Sequence, residues 1–545
     1  MTSPGAERAR AFEALSTRQF DVLIVGGGIT GAGVARDAAM RGLRVALVEQ
    51  NDFASGTSSR SSRLVHGGVR YLEHGQLHLV FESSRERRIL LRIAPHLVRP
   101  LAFTWPVYRG ARVPRWKLGI GLALYDALAL FRNVARHVRL SKRDVLAREP
   151  RVLSSGLTGG AQYWDAATDD VRLTLANVLS ARAAGAVVVN HAPVTRLLRD
   201  GGGRVTGAHV IDVESGAGVD VGARVTVNAA GPWSDRVQAL AQETTSAGVR
   251  GSKGVHVCVA RSRVGNVSAV TLIAPQDGRV MFVLPAGAFT IIGTTDTFDD
   301  VTPSEVRASE ADVEYLLASA NHHFPEAQLT RSDVVSAWAG LRPLAAAAAG
   351  SKAPGSVSRE HTIDEPVPGL VRVTGGKLTT YRAMAAQVVD VLVRLLGARA
   401  GRVRTDRQPL HGGDIPSVSA TLEAATRATG DPVVAERLVR AHGGEWSRVW
   451  SFATADGTLL ARVSPDRPYV LAELRHGVDC EMARTLGDLL IRRVPLAFET
   501  LDNGREAARH VGPVVAPWLG WDEAALDRAL VDFDREVSVM FGVAP

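Results

Sequence analysis

Three glycines and one acid carry the plainest chemical signal in this chain. In DVLIVGGGITGAG, residues 21–33, Gly26, Gly28 and Gly31 stand at G-x-G-x-x-G spacing directly after an apolar run. Glycines so placed let the backbone turn tightly and approach a pyrophosphate, while a helix starting there points its amides and positive dipole end at the phosphates. Glu49 lies about twenty residues past the second glycine, where a carboxylate accepts hydrogen bonds from ribose hydroxyls. A dinucleotide cofactor is the chemistry these residues imply.

The elements that must position them are legible around them. Val22 to Val25 form an apolar strand, and Ile29, Val34, Ala35 and Ala38 share one face of a helix. Gly42 stops that helix before a second strand, Val45 to Val48. A strand at Val225 to Asn228 runs into Ala229, Ala230, Gly231 and Pro232. These small residues either admit a cofactor close to the main chain or form an ordinary strand-to-helix turn. The segment VRVTGGKLTTYRAMAAQVVDVLVRLL, residues 371–396, repeats the N-terminal logic of strand, glycine pair and helix start, whose free amides suit an oxygen-rich group.

At 545 residues the chain exceeds one compact core, so two or three domains are expected. Its 64 Lys and Arg against 56 Asp and Glu give a net charge of +8, compatible with phosphorylated substrates, anionic lipid or nucleic acid. Cys258 and Cys480 stand alone, without disulfide or metal spacing, so no metal site and a reducing compartment are expected. The first nineteen residues lack an apolar signal core and read as a frayed tail. The apolar stretch LGIGLALYDALALF, residues 118–131, is interrupted by Asp126 and is too short to span a bilayer. Its flanks hold Arg112, Arg115, Trp116 and Lys117 before it and Arg132, Arg136, Arg139, Lys142 and Arg143 after it. Such a pattern suits a helix lying in a membrane interface, and equally a buried helix with a solvated basic end.

Between these landmarks, SSRSSRLVHGGVRYLEHG reads as a loop leading into a helix near Leu77 to Leu91, and Val171 to Ala184 reads as a second helix. Strand-like alternation recurs in VHVCVA, SAVTLIA, VMFVLP and FTIIGTTD, so a mostly antiparallel second sheet is expected between about 251 and 297. Residues 344–356 read as a flexible Ala-rich loop, and past Gly401 the pattern turns helical.

The segments VGGGITGAGVARDAAMRGL, TSSRSSRLVHGGVRYLE, YWDAATDDVRLTLAN, NAAGPWSD, KGVHV, IIGTTDT, GLRPL and GGKLTTYR, in this order, resemble the FAD-dependent, quinone-reducing sn-glycerol-3-phosphate dehydrogenases. The resemblance covers nearly the whole chain. It implies an α/β fold, α+β in the substrate part. The expected pieces are a Rossmann-like FAD-binding domain of the two-dinucleotide-binding flavoprotein type, a mixed-sheet substrate domain and a C-terminal helical domain. Expected boundaries are a tail at 1–19, an oxidoreductase region at 20–400 and the helical domain at 401–545. Within 20–400 the cofactor-binding parts are taken as about 20–110, 150–245 and 340–400, and the substrate parts as about 111–149 and 246–339.

The resemblance implies FAD held by Gly26, Gly28, Gly31 and Glu49, with Ser58, Ser59 and Ser62 near the pyrophosphate or flavin. Gly231 joins them, and Gly375, Gly376, Leu378, Thr379 and Thr380 fall near the far end. The implied reaction moves a hydride from C2 of glycerol 3-phosphate to flavin N5, giving dihydroxyacetone phosphate, with a base taking the hydroxyl proton. Histidine titrates near neutrality, so His66 and His256 are the candidate bases. A phosphate dianion calls for converging cations, and Arg70, Lys253, Arg342 and Lys377 lie in the matching segments. Arg342 and Lys377 serve equally to stabilise charge on the cofactor ring. Arg63 stands where relatives often carry Lys, which excludes acid–base work there.

Membrane quinone as acceptor, an anionic lipid surface as partner and a cytoplasmic, peripheral location at the inner face of the cell membrane complete the expectation. A homodimer stays open. The competing readings are a glycerol-3-phosphate oxidase making hydrogen peroxide, an amine or amino-acid oxidase on the same fold, and a lipid- or nucleic-acid-binding protein with a vestigial flavin site. Sparse aromatics and dispersed basic residues argue against nucleic acid.

Overall fold

The computed structural model describes residues 4–69, 72, 75–242, 249–299, 301–345 and 360–545. Two sheets organise it. The first runs, from one edge, Thr362–Val367, Leu370–Thr374, Gly218–Asn228, Phe20–Val25, Val45–Val48 and Val187–Val189. All neighbours are parallel except the first pair, and an antiparallel wing, Val194–Arg199 with Val205–Ile211, extends the Gly218–Asn228 strand. Continuous apolar runs such as Leu23-Ile24-Val25 suit strands buried on both faces.

On one face, Val22, Ile24, Val45 and Leu47 pack with Val34, Ala35 and Ala38 of the Ile29–Met40 helix. Leu175 and Leu179 of the Asp170–Ala183 helix and Val388 and Leu392 of the Tyr381–Leu396 helix complete that core. On the other face, Leu23, Val25, Ala46 and Val48 meet Phe12 and Leu15. These last two correct the expected frayed tail. Pro4–Thr17 is a helix with Leu15 fully buried, and Arg8 ties it to Asp212 Oδ1 at 2.6 Å. Its few apolar residues fall on one face, enough to dock a polar helix.

The second sheet runs Thr297–Phe298, Val249–Ala260, Phe289–Gly293, Val280–Ala286, Ala269–Ile273, Arg99–Tyr108, Leu157–Ala167 and Leu64–Val65, with Val334–Ala345 also paired to Val249–Ala260. Three of its strands, Leu64–Val65, Arg99–Tyr108 and Leu157–Ala167, lie in sequence ranges expected to serve the cofactor-binding part. Strand partners are chosen by long-range pairing, which chain order does not display. One face of the sheet, through Val255, Val257 and Val259, packs on Val313 and Leu316 of the Glu310–His323 helix. The opposite face shares a single core with the C-terminal helices: Phe103, Tyr163, Cys258 and Trp338 lie in one cluster with Leu474, Leu490, Val511 and Phe541. Buried ion pairs tie the same C-terminal region to the layers of the first sheet, Arg493 with Asp52 at 2.6 Å and Arg172 with Glu481 at 2.7 Å. The C-terminal helical domain thus packs on the second sheet.

The basic-flanked apolar stretch forms the helix Arg115–Leu128. Leu118, Leu122 and Tyr125 face inward, while Trp116 is 67% exposed and Ile120 59%, four residues apart on the outer face. No helix among the described residues is long and apolar enough to cross a membrane. The Ala-rich segment lies outside the described residues from 346 to 356.

Candidate active site

The carboxyl ends of four parallel strands meet at one crevice: Val25 before Gly26, Val48 before Glu49, Asn228 before Ala229 and Thr374 before Gly375. Ligands of open parallel sheets bind outside such ends. A cavity of about 900 Å³ runs from there to the second sheet.

At the first end the wall is backbone. Gly26 has φ +112°, and a Cβ there would fall 2.7 Å from the Ala229 carbonyl oxygen; a Cβ on Gly31 would overlap the Gly26 carbonyl. The Ile29 amide, in the first turn of the helix, donates to Ser58 Oγ at 2.9 Å. The Glu49 carboxylate lines the cavity while accepting the Gly27 amide through Oε2 at 2.6 Å and the Asn51 amide through Oε1 at 2.9 Å. Burial pushes its pKa above the usual carboxylate range, against the pull of those two amides. At the other end Gly375 and Gly376 have φ of +77° and +93°, and a Cβ on Gly376 would fall 2.6 Å from Met384 Sδ. Leu378 and Thr379 follow on the cavity wall. A phosphate-facing helix start, a ribose-facing acid and a second glycine turn across an elongated cavity fit FAD.

Against this backbone wall stands a wall of side chains. Arg342, on Val334–Ala345, donates through Nη1 to Asp296 Oδ1 at 3.1 Å and through Nη2 to Thr294 Oγ1 at 3.2 Å. It lines the cavity, as do Lys377, Ser62, Gly231 and His66. The His66 amide donates to Thr379 Oγ1 at 3.1 Å, and its ring meets Phe282 edge-on at 6.5 Å. His256 is nearly enclosed, stacked on Trp338 at 5.4 Å, with Nε2 2.8 Å from Ser62 Oγ. Burial, then the charges of Arg342 and Arg63, push its pKa down to about 3. At neutral pH it is an uncharged ring whose Nε2 is paired with Ser62.

Several expected site residues sit elsewhere. Lys253 Nζ lies 3.0 Å from Asp312 Oδ2 and 3.4 Å from Asp299 Oδ2, turned from the cavity toward the Glu310–His323 helix. The reason is strand periodicity: Lys253 and His256 are three apart on one strand and so point to opposite faces. Ser59 is buried and donates to the Gly56 carbonyl, and Thr380 is buried behind Thr379 at the start of the following helix; neither lines the cavity. Gly31 also stays off the wall, serving the close approach of helix to strand. Arg70 lies outside the described residues. Arg63 turns away, its guanidinium 4.6 Å from the Phe498 ring centre.

The sequence reading missed Arg60, Arg279, Thr294 and Asp296, all on the cavity wall. Burial, opposed by the Glu536 charge and aided by that of Arg492, pulls the Arg60 pKa down to about 10. Asp296 and Thr294 were within reach, because they lie in the quoted IIGTTDT segment beside the His256 strand. It also missed an apolar part of the same wall, made by Phe103, Trp105, Val113, Leu118 and Leu122 together with the exposed Trp116 and Ile120.

Comparison with known proteins places this geometry. The FAD dependent oxidoreductase model matches residues 21–391, and the model for the C-terminal domain of alpha-glycerophosphate oxidase matches residues 403–526. The chain is an FAD-dependent oxidoreductase, and FAD is its cofactor. It is 40% identical over 539 residues to glycerol-3-phosphate dehydrogenase 2 of Mycobacterium tuberculosis, covering 98% of this chain and 90% of the relative. Aerobic glycerol-3-phosphate dehydrogenase of Staphylococcus haemolyticus is 34% identical, covering 96% and 95%. Among solved structures, glycerol-3-phosphate dehydrogenase from Bacillus halodurans complexed with FAD superposes with a TM-score of 0.81 at 31% identity, covering 99% of this chain and 98% of that one. The chain belongs to the FAD-dependent glycerol-3-phosphate dehydrogenase family.

Proposed function

We propose that this chain oxidises sn-glycerol 3-phosphate to dihydroxyacetone phosphate and passes the electrons to a membrane quinone. The observation that carries the reading is one cavity in which the glycine turns and Glu49 face Arg342, Lys377 and His66. FAD supplies the acceptor for the two electrons and the hydrogen that leave C2 as hydride. Arg342 and Lys377 offer the positive charge that grips the phosphoester, in a fork whose orientation Asp296 and Thr294 set. We assign His66 to take the proton of the C2 hydroxyl as the C2–O double bond forms, with Ser62 and neutral His256 ordering the wall beside it.

The apolar lining that includes the exposed Trp116 and Ile120 supports a lipophilic acceptor, and the exposed basic flanks support a peripheral seat on anionic lipid. The test is anaerobic. Purified protein should be yellow, glycerol 3-phosphate should bleach it, and a quinone analogue should restore the colour. An oxidised spectrum that persists under excess substrate rejects the reading. Stoichiometric peroxide in air with no quinone reduction assigns the chain to oxidase chemistry instead. Failure of inorganic phosphate to compete favours an amine or amino-acid oxidase.

A further inference from the structure

On the cavity wall, one carboxylate oxygen collects donors from three elements. Asp165, on the Leu157–Ala167 strand, accepts through Oδ1 from the Gly67 amide at 2.9 Å, from the Tyr125 hydroxyl at 2.6 Å and from the Arg87 guanidinium. Asp165, Arg87 and Tyr125 are all at most 2% exposed. Tyr125 comes from the inner face of the Arg115–Leu128 helix and Arg87 from the Leu77–Ile93 helix. Arg87 Nη1 also donates to Tyr125 Oη at 2.8 Å, and Nη2 donates to Asn133 Oδ1. The Asn133 amide group donates to Asp126 Oδ1 at 2.6 Å, and Asp126 Oδ2 accepts the His137 amide at 3.0 Å. A bonded chain therefore joins a peptide of the cavity wall to the surface end of the helix that carries Trp116.

The packing says the same thing independently. A Cβ on Gly67 would fall 2.7 Å from Tyr125 Cζ and 2.8 Å from Ser84 Oγ, so the glycine lies flat against the phenol. Gly67 follows His66, whose own amide is held by Thr379. The two peptides around His66 are thus clamped from opposite sides, by the late glycine turn and by Asp165. Hydrogen bonds to a buried ion are stronger and more directional than neutral ones, so this clamp restricts the turn more than its length suggests.

We infer that Tyr125 and Asp165 are positioning residues that fix the His66–Gly67 turn and couple the seat of the Arg115–Leu128 helix to it. The inference rests on the assignment of His66 to the substrate side of the cavity. Tyr125→Phe keeps the ring and removes one O–H. In the FAD-loaded full chain, amide hydrogen exchange at Gly67 should quicken about tenfold, the size of one net hydrogen bond, while the Phe20–Val25 strand stays unchanged. With a soluble dye as acceptor, kcat should fall about tenfold with KM for glycerol 3-phosphate held, because a misplaced group costs the reacting geometry rather than binding. Asp165→Asn should deepen both effects. Unchanged protection at Gly67 overturns the inference, and so does faster exchange with undiminished kcat. A wild-type protein that glycerol 3-phosphate does not bleach strikes the functional reading instead, and leaves the exchange comparison standing.

Discussion

The two walls of the cavity are built from different material. The wall around Gly26, Gly28 and Gly375–Gly376 is glycine backbone, where a Cβ on Gly26 or Gly375 would collide with a carbonyl oxygen; the wall around Arg342, His256 and Asp296 is side chain, where atoms can be exchanged while the strands stay put. Backbone walls bind what many flavoproteins share. Side-chain walls decide which alcohol or amine is oxidised.

Substitutions sharpen that contrast, beginning with the most damaging. Gly31→Val forces a side chain into the Gly26 carbonyl, and we expect protein purified without flavin, read as loss of the visible absorbance. Retained FAD at wild-type stoichiometry would remove the claim that this wall is rigid. Arg342→Met should keep FAD yet lower kcat/KM for glycerol 3-phosphate about 100-fold, the scale of a lost charge-assisted hydrogen bond pair. Steady-state kinetics with a dye acceptor report it.

His256→Gln yields a smaller loss, about tenfold in kcat, through disorder of Ser62. Its pKa near 3 predicts that the acid limb of the pH–rate profile survives the change; disappearance of that limb would return His256 to the base role. The sign for stability is separate. A histidine whose folded pKa is depressed binds fewer protons than the unfolded chain between about 6.5 and about 3, so its contribution is lost as pH falls through that window. Melting curves of His256→Gln against wild type should converge toward pH 3.

Lys253→Met should leave the kinetics within about twofold and reduce stability by about 1 kcal/mol, because its partners are Asp312 and Asp299. A large rise in KM would place Lys253 at the substrate after all. The smallest effect on turnover is expected from Arg112, Lys117, Arg132 and Arg136 changed together to Glu. Dye-linked activity should hold while sedimentation with anionic vesicles is lost, and unchanged sedimentation would reject the lipid seat.

Local signals made the backbone wall readable in advance. A glycine spacing, an apolar strand and an acid at a set distance are constraints within one β-α-β unit, and Gly26, Gly28, Glu49, Gly375, Gly376, Leu378 and Thr379 all line one cavity. The side-chain wall was read less well for a stated reason. Lys253 and His256 were grouped because they share a motif, while period-two alternation on Val249–Ala260 turns them to opposite faces. Ser58 and Ser59 differ in the same way: neighbours in one turn, one bonded to the Ile29 amide on the cavity wall, the other to the Gly56 carbonyl.

What residue order alone determined was the cofactor class and the two glycine turns, because each follows from steric and charge rules acting over a few tens of residues. Only the tertiary structure decided that strands Leu64–Val65, Arg99–Tyr108 and Leu157–Ala167 join the second sheet, that the C-terminal helices share its core, and that Tyr125 reaches Asp165 beneath the His66 turn. Those outcomes depend on which distant surfaces bury one another, a choice made by the whole chain at once.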